Sequence, residues 1–140
     1  MKILLINPPI LNKEVYAKYS AGAPCLPPLG LCYLGAVLLN NGYETKILDC
    51  VAEDIPVMGL RNEFEKFRPD LVGVTSATVS YAAAKKVLEA IKEIDASTVT
   101  VLGGTHISAL PIQAMSECEN IDIGVFGEGE YTLLEIVKKD

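Results

Sequence analysis

Five short runs of branched apolar residues, interleaved with segments of helical spacing, constrain this 140-residue chain more than any other feature. The runs are Ile3-Leu4-Leu5-Ile6, Thr45-Lys46-Ile47-Leu48, Leu71-Val72-Gly73-Val74, Val99-Thr100-Val101-Leu102 and Ile121-Asp122-Ile123-Gly124-Val125. Each is bounded by turn formers and most are continuously apolar rather than alternating, as strands covered on both faces are. Helical spacing recurs between them over residues 29–40, about 60–67, 80–94, roughly 107–115 and 130–139. Strands joined by helix-length crossovers must run parallel. The pattern β-α, five times over, therefore predicts a doubly wound sheet of five parallel strands.

That fold is α/β, Rossmann-like and of flavodoxin type, with three layers. Stop signals agree with it: Asn41-Gly42 supplies a left-handed cap after the first helix, and Arg68-Pro69-Asp70 turns the chain into the third strand. The length suits one domain spanning residues 1–140. Half the residues are hydrophobic and 21% are charged, which excludes a disordered tail or a fibrous repeat. A net charge of −6 with 12 Lys+Arg gives no basic stripe for phosphates, so nucleic acid is not an expected partner.

No membrane span is expected either, because the longest apolar stretches, such as residues 29–39, fall short of roughly 20 residues. The apolar start is cut off by Asn7-Pro8-Pro9 and reads as a buried first strand rather than a signal peptide, which places the protein in the cytoplasm. Cys25, Cys32, Cys50 and Cys118 have no paired metal-ligand spacing, and they read as reduced, mostly packing residues. Residues 8–28 hold five of the eight prolines and are too long for an ordinary βα loop. At the carboxyl end of a strand, such a loop is a candidate ligand lid that orders when a ligand arrives.

Ligands of open parallel sheets bind beyond the carboxyl ends of the strands, so the residues just after each run are the candidates. They are Asn7-Pro8-Pro9, Asp49-Cys50, Thr75-Ser76-Ala77-Thr78, Gly103-Gly104-Thr105-His106 and Gly127-Glu128-Gly129-Glu130. Gly103-Gly104 would let a bulky ligand approach the backbone, and a side chain at Gly104 is expected to bar that ligand without harming the fold. A tight turn into the helix explains the pair equally well. The hydroxyls of Thr75, Ser76 and Thr78 suit ring nitrogens or amides, and one of them is expected to cap the helix beginning near Ser80. Glu128 and Glu130 at a helix start also satisfy the helix dipole. His106, the only histidine, lies at the same edge, but a lone histidine is more often a hydrogen-bonded polar residue than a metal ligand.

Familiar alternatives are missing. The first βα turn has Pro8-Pro9 where a dinucleotide fingerprint needs Gly-x-Gly-x-x-Gly, and no Walker sequence occurs. A phospho-receiver domain would need an acidic pair after the first strand and an aspartate after the third, where Asn7-Pro8 and Thr75-Ser76 stand. A flavodoxin would carry a hydroxyl-rich phosphate loop after the first strand.

Taken together, Asn7-Pro8-Pro9, the run Pro27-Pro28-Leu29-Gly30-Leu31-Cys32-Tyr33-Leu34-Gly35 and Gly42-Tyr43-Glu44 resemble the amino-terminal cobalamin (vitamin B12)-binding domain of cobalamin-dependent radical S-adenosylmethionine enzymes. Pro69-Asp70-Leu71-Val72-Gly73-Val74-Thr75-Ser76, Gly103-Gly104-Thr105-His106 and Gly127-Glu128-Gly129-Glu130 continue the resemblance in order and spacing over nearly the whole chain. It implies cobalamin at the carboxyl edge, with its nucleotide tail beside the strands. The cofactor-binding residues it implies are Asn7, Pro8, Pro9, Leu29, Thr75, Ser76, Ala77, Thr78, Gly103, Gly104, Thr105, His106, Glu128 and Gly129. Ser76 with Thr78 resembles the element that meets the dimethylbenzimidazole tail, and Gly103-Gly104 the element that lets the tail pass.

Cobalamin mutases carry Asp-x-His-x-x-Gly after the first strand, and this chain has Asn7-Pro8-Pro9-Ile10-Leu11-Asn12 there. The resemblance therefore implies base-off cobalamin without a histidine on cobalt. The family also implies a 4Fe-4S cluster, S-adenosylmethionine and a methyltransferase reaction in the full-length protein. The cluster needs a Cys-x-x-x-Cys-x-x-Cys triplet, which this chain lacks. The expectation is an excised module, catalysing nothing alone, whose partner is a radical S-adenosylmethionine domain carboxyl-terminal to it. A vestigial scaffold domain that binds no cobalamin and, more weakly, a small nucleotide-binding module stay open.

Overall fold

The computed structural model describes residues 1–9 and 26–139. Strands β1 (Lys2–Asn7), β2 (Glu44–Asp49), β3 (Leu71–Thr75), β4 (Val99–Gly103) and β5 (Ile123–Gly124) form one sheet in the order β2-β1-β3-β4-β5. Every pairing is parallel, as the helix-length crossovers require. The helices are α1 (Leu29–Asn40), α2 (Leu60–Phe67), α3 (Tyr81–Ile94), α4 (Thr105–Ala109), α5 (Pro111–Glu117) and α6 (Glu130–Lys138).

Alternation along the strands builds two cores, one on each face. Leu4, Ile6, Val72, Val74 and Leu102 pack with Phe64 of α2, Leu88 of α3, Ile107 of α4 and Ala114 of α5. Ile3, Leu5, Leu71 and Val101 pack with Leu31 and Leu38 of α1 and Leu133 and Val137 of α6. Because both faces are covered, the central strands have no polar side to show. That is the physical origin of the continuous apolar runs.

Two expectations need correction. The helix expected over residues 107–115 is two helices, α4 and α5, because Pro111 disfavours helical geometry at the residue before it. Leu110 stands between them at φ −133° and ψ 57°, and Pro111 occupies the first turn of α5, where its missing N–H is harmless. The fifth strand is only Ile123–Gly124, although Ile121 and Val125 are buried at its ends. Among the described residues it is the edge of the sheet and pairs with β4 alone, so little of the apolar run is drawn into a ladder.

The stop signals work as the sequence predicts. Gly42 takes φ +85° after α1, and Arg68 at φ 53° ends α2 before Pro69. Among the described residues Cys50 and Cys118 are buried and Cys32 is exposed; Cys25 and the expected lid, residues 10–25 of the long loop, lie outside the described residues. Burial, helped by the carboxylates of Asp49 and Glu53, pushes the Cys50 thiol up to about 12, and burial also raises Cys118. Only thiolate attacks. Near neutral pH a disulfide-exchange reagent should therefore label Cys32 in the native protein and reach Cys50 and Cys118 only on unfolding, as peptide mapping would show. Labelling of Cys50 as fast as Cys32 would contradict the packing role.

Candidate functional site

A cavity of about 200 Å³ opens at the carboxyl edge, between the sheet and the α1 and α6 layer. Its floor is one row across three strands, since Leu5 of β1 pairs with Gly73 of β3, and Gly73 with Val101 of β4. Gly73 supplies the depth: a Cβ there would lie 2.9 Å from Leu5 Cδ2. Gly30, Leu31 and Leu34 of α1 and Leu133 of α6 form the opposite wall, with Val125 at the side. Thr75, Gly103, Gly104 and the turn from Gly127 to Glu130 frame the mouth. Six of the described lining residues are glycines, so the hollow is made largely by side chains that are not there.

The two adjacent glycines do different work. At Gly103 an added Cβ would meet, among the described residues, only the Val125 carbonyl oxygen, at 4.0 Å. Gly104 is held at φ +105°, and a Cβ there would stand 2.5 Å from the Ser76 carbonyl oxygen and 2.8 Å from its nitrogen. The backbones are locked together here, as Ser76 N–H donates to the Gly103 carbonyl and His106 N–H to the Ser76 carbonyl. The expectation that Gly104 tolerates a side chain is thus overturned. Its glycine is required by the fold before any ligand is considered.

Of the residues expected at the site, Thr75, Gly103, Gly104, Glu128 and Gly129 line this cavity. The others sit around it or elsewhere. Asn7 donates from Nδ2 to Asp49 Oδ1 at 2.8 Å, tying the ends of β1 and β2, and Pro8 and Pro9 are buried beside it. Leu29 starts α1 with its side chain mostly in solvent, one residue before the lining Gly30. Ala77, Thr78 and Thr105 are exposed. None of the hydroxyls of Thr75, Ser76 or Thr78 caps α3; the Ser80 hydroxyl instead accepts the Ala77 N–H at 3.0 Å and so closes the preceding turn.

His106 lies on the opposite face of the sheet from the cavity, among the α3 to α5 core. Its ring stacks on Tyr81 with centroids 4.0 Å apart, and Nδ1 stands 3.3 Å from Thr78 Oγ1. Tyr81 is fixed in turn by donating its hydroxyl to the Ala114 carbonyl at 2.8 Å. Three buried side-chain polar atoms have no hydrogen-bond partner among the described residues, and two of them, Ser76 Oγ and His106 Nε2, lie in this region. Such atoms are costly unless something else satisfies them.

Several cavity residues escaped sequence reasoning. Leu31, Leu34 and Gly30 belong to a helix that is apolar on all sides, so no periodicity says which side faces a ligand. Gly73 did leave a signal, because glycine inside a buried strand often marks close approach. Ser108 is a further missed residue: its hydroxyl donates to the Gly104 carbonyl at 2.8 Å and accepts the Gly127 N–H at 3.1 Å. It pins the loops after β4 and β5 to each other across the mouth.

A doubly wound sheet with a glycine-made slot at its carboxyl edge defines a ligand-holding α/β domain of the switch-point kind. The slot is smaller than the roughly 300–1,000 Å³ of a pocket that encloses a whole drug-sized ligand, and so suits one arm of a larger molecule. The chain belongs to the B12 binding domain family, whose model matches residues 21–137. An uncharacterised methyltransferase of Pyrococcus horikoshii is 39% identical over 137 residues, covering 98% of this chain and 29% of the relative. The anaerobic magnesium-protoporphyrin IX monomethyl ester cyclase of Rubrivivax gelatinosus is 33% identical over 141 residues, covering 98% of this chain and 24% of the cyclase. This chain thus spans less than a third of the length of these relatives.

Among solved structures, the cobalamin-dependent S-adenosylmethionine radical enzyme OxsB with aqua-cobalamin and S-adenosylmethionine bound superposes with a TM-score of 0.79 at 20% identity. The match covers 99% of this chain and 18% of that one, and it establishes the shared fold. The described residues fit a corrinoid with a nucleotide arm. They provide a hollow lined by six glycines, apolar walls, and at its mouth a Thr75 hydroxyl that makes no hydrogen bond among the described residues. Among the described residues there is no group of three or more His, Cys, Asp and Glu side chains arranged to hold a metal ion, and no helix long and apolar enough to cross a membrane.

Proposed function

We propose that this chain is the corrinoid-holding module of a cobalamin-dependent radical S-adenosylmethionine protein of the methyltransferase type. The observation that carries the reading is the glycine-made hollow at the carboxyl edge in a member of the B12-binding family. In this reading the nucleotide tail enters between Gly103 and α1, over Gly73, with Leu31, Leu34, Val101 and Leu133 against its faces. Thr75 meets a polar atom of the tail. Glu128 and Glu130 at the mouth accept hydrogen bonds from the side-chain amides of the macrocycle. Bound corrinoid would supply a cobalt centre able to carry a methyl group between a donor and an acceptor.

The arrangement supports base-off binding without a protein imidazole on cobalt. A tail lodged in the hollow cannot also fold back beneath the macrocycle, and the only histidine, His106, is locked under Tyr81 on the far face. Radical chemistry, the 4Fe-4S cluster and the S-adenosylmethionine site belong to the further length that the relatives carry. A radical S-adenosylmethionine domain there is the proposed partner. The names of the two relatives denote different reactions, a methyl transfer and a ring closure, so what they share with this chain is the module and not a substrate.

The test is incubation with hydroxocobalamin followed by desalting. Corrinoid absorbance should remain with the protein, and after reduction to cob(II)alamin the paramagnetic resonance spectrum should show no nitrogen superhyperfine splitting. Loss of all corrinoid on desalting would favour a scaffold domain that has kept only the fold. A nitrogen splitting that disappears in His106→Ala would make His106 the lower ligand and overturn the base-off reading.

A further inference from the structure

We propose that the hollow selects corrinoids whose lower base is a benzimidazole over those carrying a purine, a specificity that rests on the tail-binding reading above. The chemistry of the wall is the argument. Behind the mouth the side chains are hydrocarbon, from Leu5, Leu31, Leu34, Val101 and Leu133, or absent, at Gly73. Among the described lining residues the polar side chains are Thr75, Glu128 and Glu130, and Glu128 is exposed to solvent. A flat base pushed past them meets a surface that offers it no hydrogen bond.

The peptide carbonyls around the hollow make up little of the difference, because they are already engaged, and the N–H groups left without a partner among the described residues belong to Gly104 and to the turn at the start of α6, which frame the mouth. The Leu102 carbonyl accepts Val125 N–H at 2.8 Å, the Gly103 carbonyl accepts Ser76 N–H at 2.9 Å, and the Gly129 carbonyl accepts Leu133 N–H at 2.8 Å. The Gly104 carbonyl takes both the N–H and the hydroxyl of Ser108. The Thr75 hydroxyl makes no hydrogen bond among the described residues and is the one side-chain donor among the described lining residues.

A dimethylbenzimidazole bound to its ribose through one nitrogen leaves one ring nitrogen to satisfy, which a single hydroxyl can do. Its methyl groups add apolar surface where the wall is apolar. An adenine brings further ring nitrogens and an amino group, each of which loses its water on entry and finds no partner among the hydrocarbon side chains behind the mouth. Sites of this kind reject the more polar ligand through groups left unpaired rather than through shape.

The experiment titrates the 140-residue chain by equilibrium dialysis with hydroxocobalamin, with its adenine-based counterpart, and with the tailless diaquacobinamide. Cobalamin should bind at least tenfold more tightly than the adenine form, and more tightly than cobinamide. A gap of less than tenfold between the two tailed forms, or a reversed order, with cobalamin still ahead of cobinamide, would overturn base selection and leave tail binding standing. Cobalamin held no better than cobinamide would overturn tail binding, and base selection with it.

Discussion

Gly103→Val should leave the fold in place and abolish retention of corrinoid. An added Cβ at this position points into the cavity and, among the described residues, meets only the Val125 carbonyl oxygen at 4.0 Å, so the described fold accommodates it. Valine also suits the end of a strand. The cost falls on the ligand, because two methyl groups at the mouth stand where the tail must pass. Overfilling a matched apolar contact costs about 1–3 kcal/mol when the surroundings can shift, and more when a rigid ring cannot. The lower range alone corresponds to a loss of roughly fivefold to 150-fold in affinity, and a rigid ring loses more. Titration with hydroxocobalamin reads the affinity, and a thermal melt on the same samples reads the fold. A variant that melts like the parent and still holds corrinoid at parental affinity would remove the hollow from the binding model.

The choice of Gly103 shows where sequence reasoning stops. Residues 103 and 104 are indistinguishable on paper, two glycines closing an apolar run, and both suggest room for a ligand. In space they differ because β3 ends beside β4: the row from Thr75 to Gly103 is still sheet, while Gly104 turns under the Ser76 peptide. The fold was far more legible than this. Continuous apolar runs, crossover length and the Asn41-Gly42 stop each respond to local rules, and together they leave one topology. Pro111 was visible too, but splitting the expected helix required weighing its effect on Leu110 above the apolar spacing that runs through it.

His106 marks the opposite case. Its position after β4 places it at the ligand edge in any linear reading. The chain then turns at once into α4, which carries the ring to the far face and under Tyr81. No pattern in the sequence announces a stacking partner 25 residues earlier. The walls contributed by α1 were equally hidden, since a helix with no polar face gives no sign of which flank meets the sheet and which meets a ligand. What the sequence carries well is backbone geometry, and what it carries poorly is the direction of individual side chains within a layer.

Gly104→Ala should destabilise the protein by about 3–5 kcal/mol, most of the loss arising without any ligand. Backbone geometry of φ +105° and ψ −174° belongs to the region that only glycine enters freely, and forcing another residue there costs about 1–3 kcal/mol. The methyl group would also stand 2.5 Å from one Ser76 backbone atom and 2.8 Å from another, distances that real contacts do not reach. To relieve them β3 and β4 must part at their carboxyl ends, where Ser76 N–H holds the Gly103 carbonyl and His106 N–H holds the Ser76 carbonyl. Both bonds lie next to a buried hydroxyl and a buried imidazole nitrogen that lack partners among the described residues, so the neighbourhood has little slack. Set against a total stability of about 5–15 kcal/mol, the loss is large enough to unfold a sizeable fraction of molecules near 37 °C. Urea denaturation of the ligand-free protein measures it, with Gly103→Ala as the control, for which a change of under about 1 kcal/mol is expected. Equal midpoints for the two alanine variants would mean that the Gly104 backbone relaxes without cost, and would return the glycine pair to a purely ligand-binding role. A large difference separates the two positions, and loss of corrinoid in any Gly104 variant then reports a damaged sheet edge rather than a blocked tail.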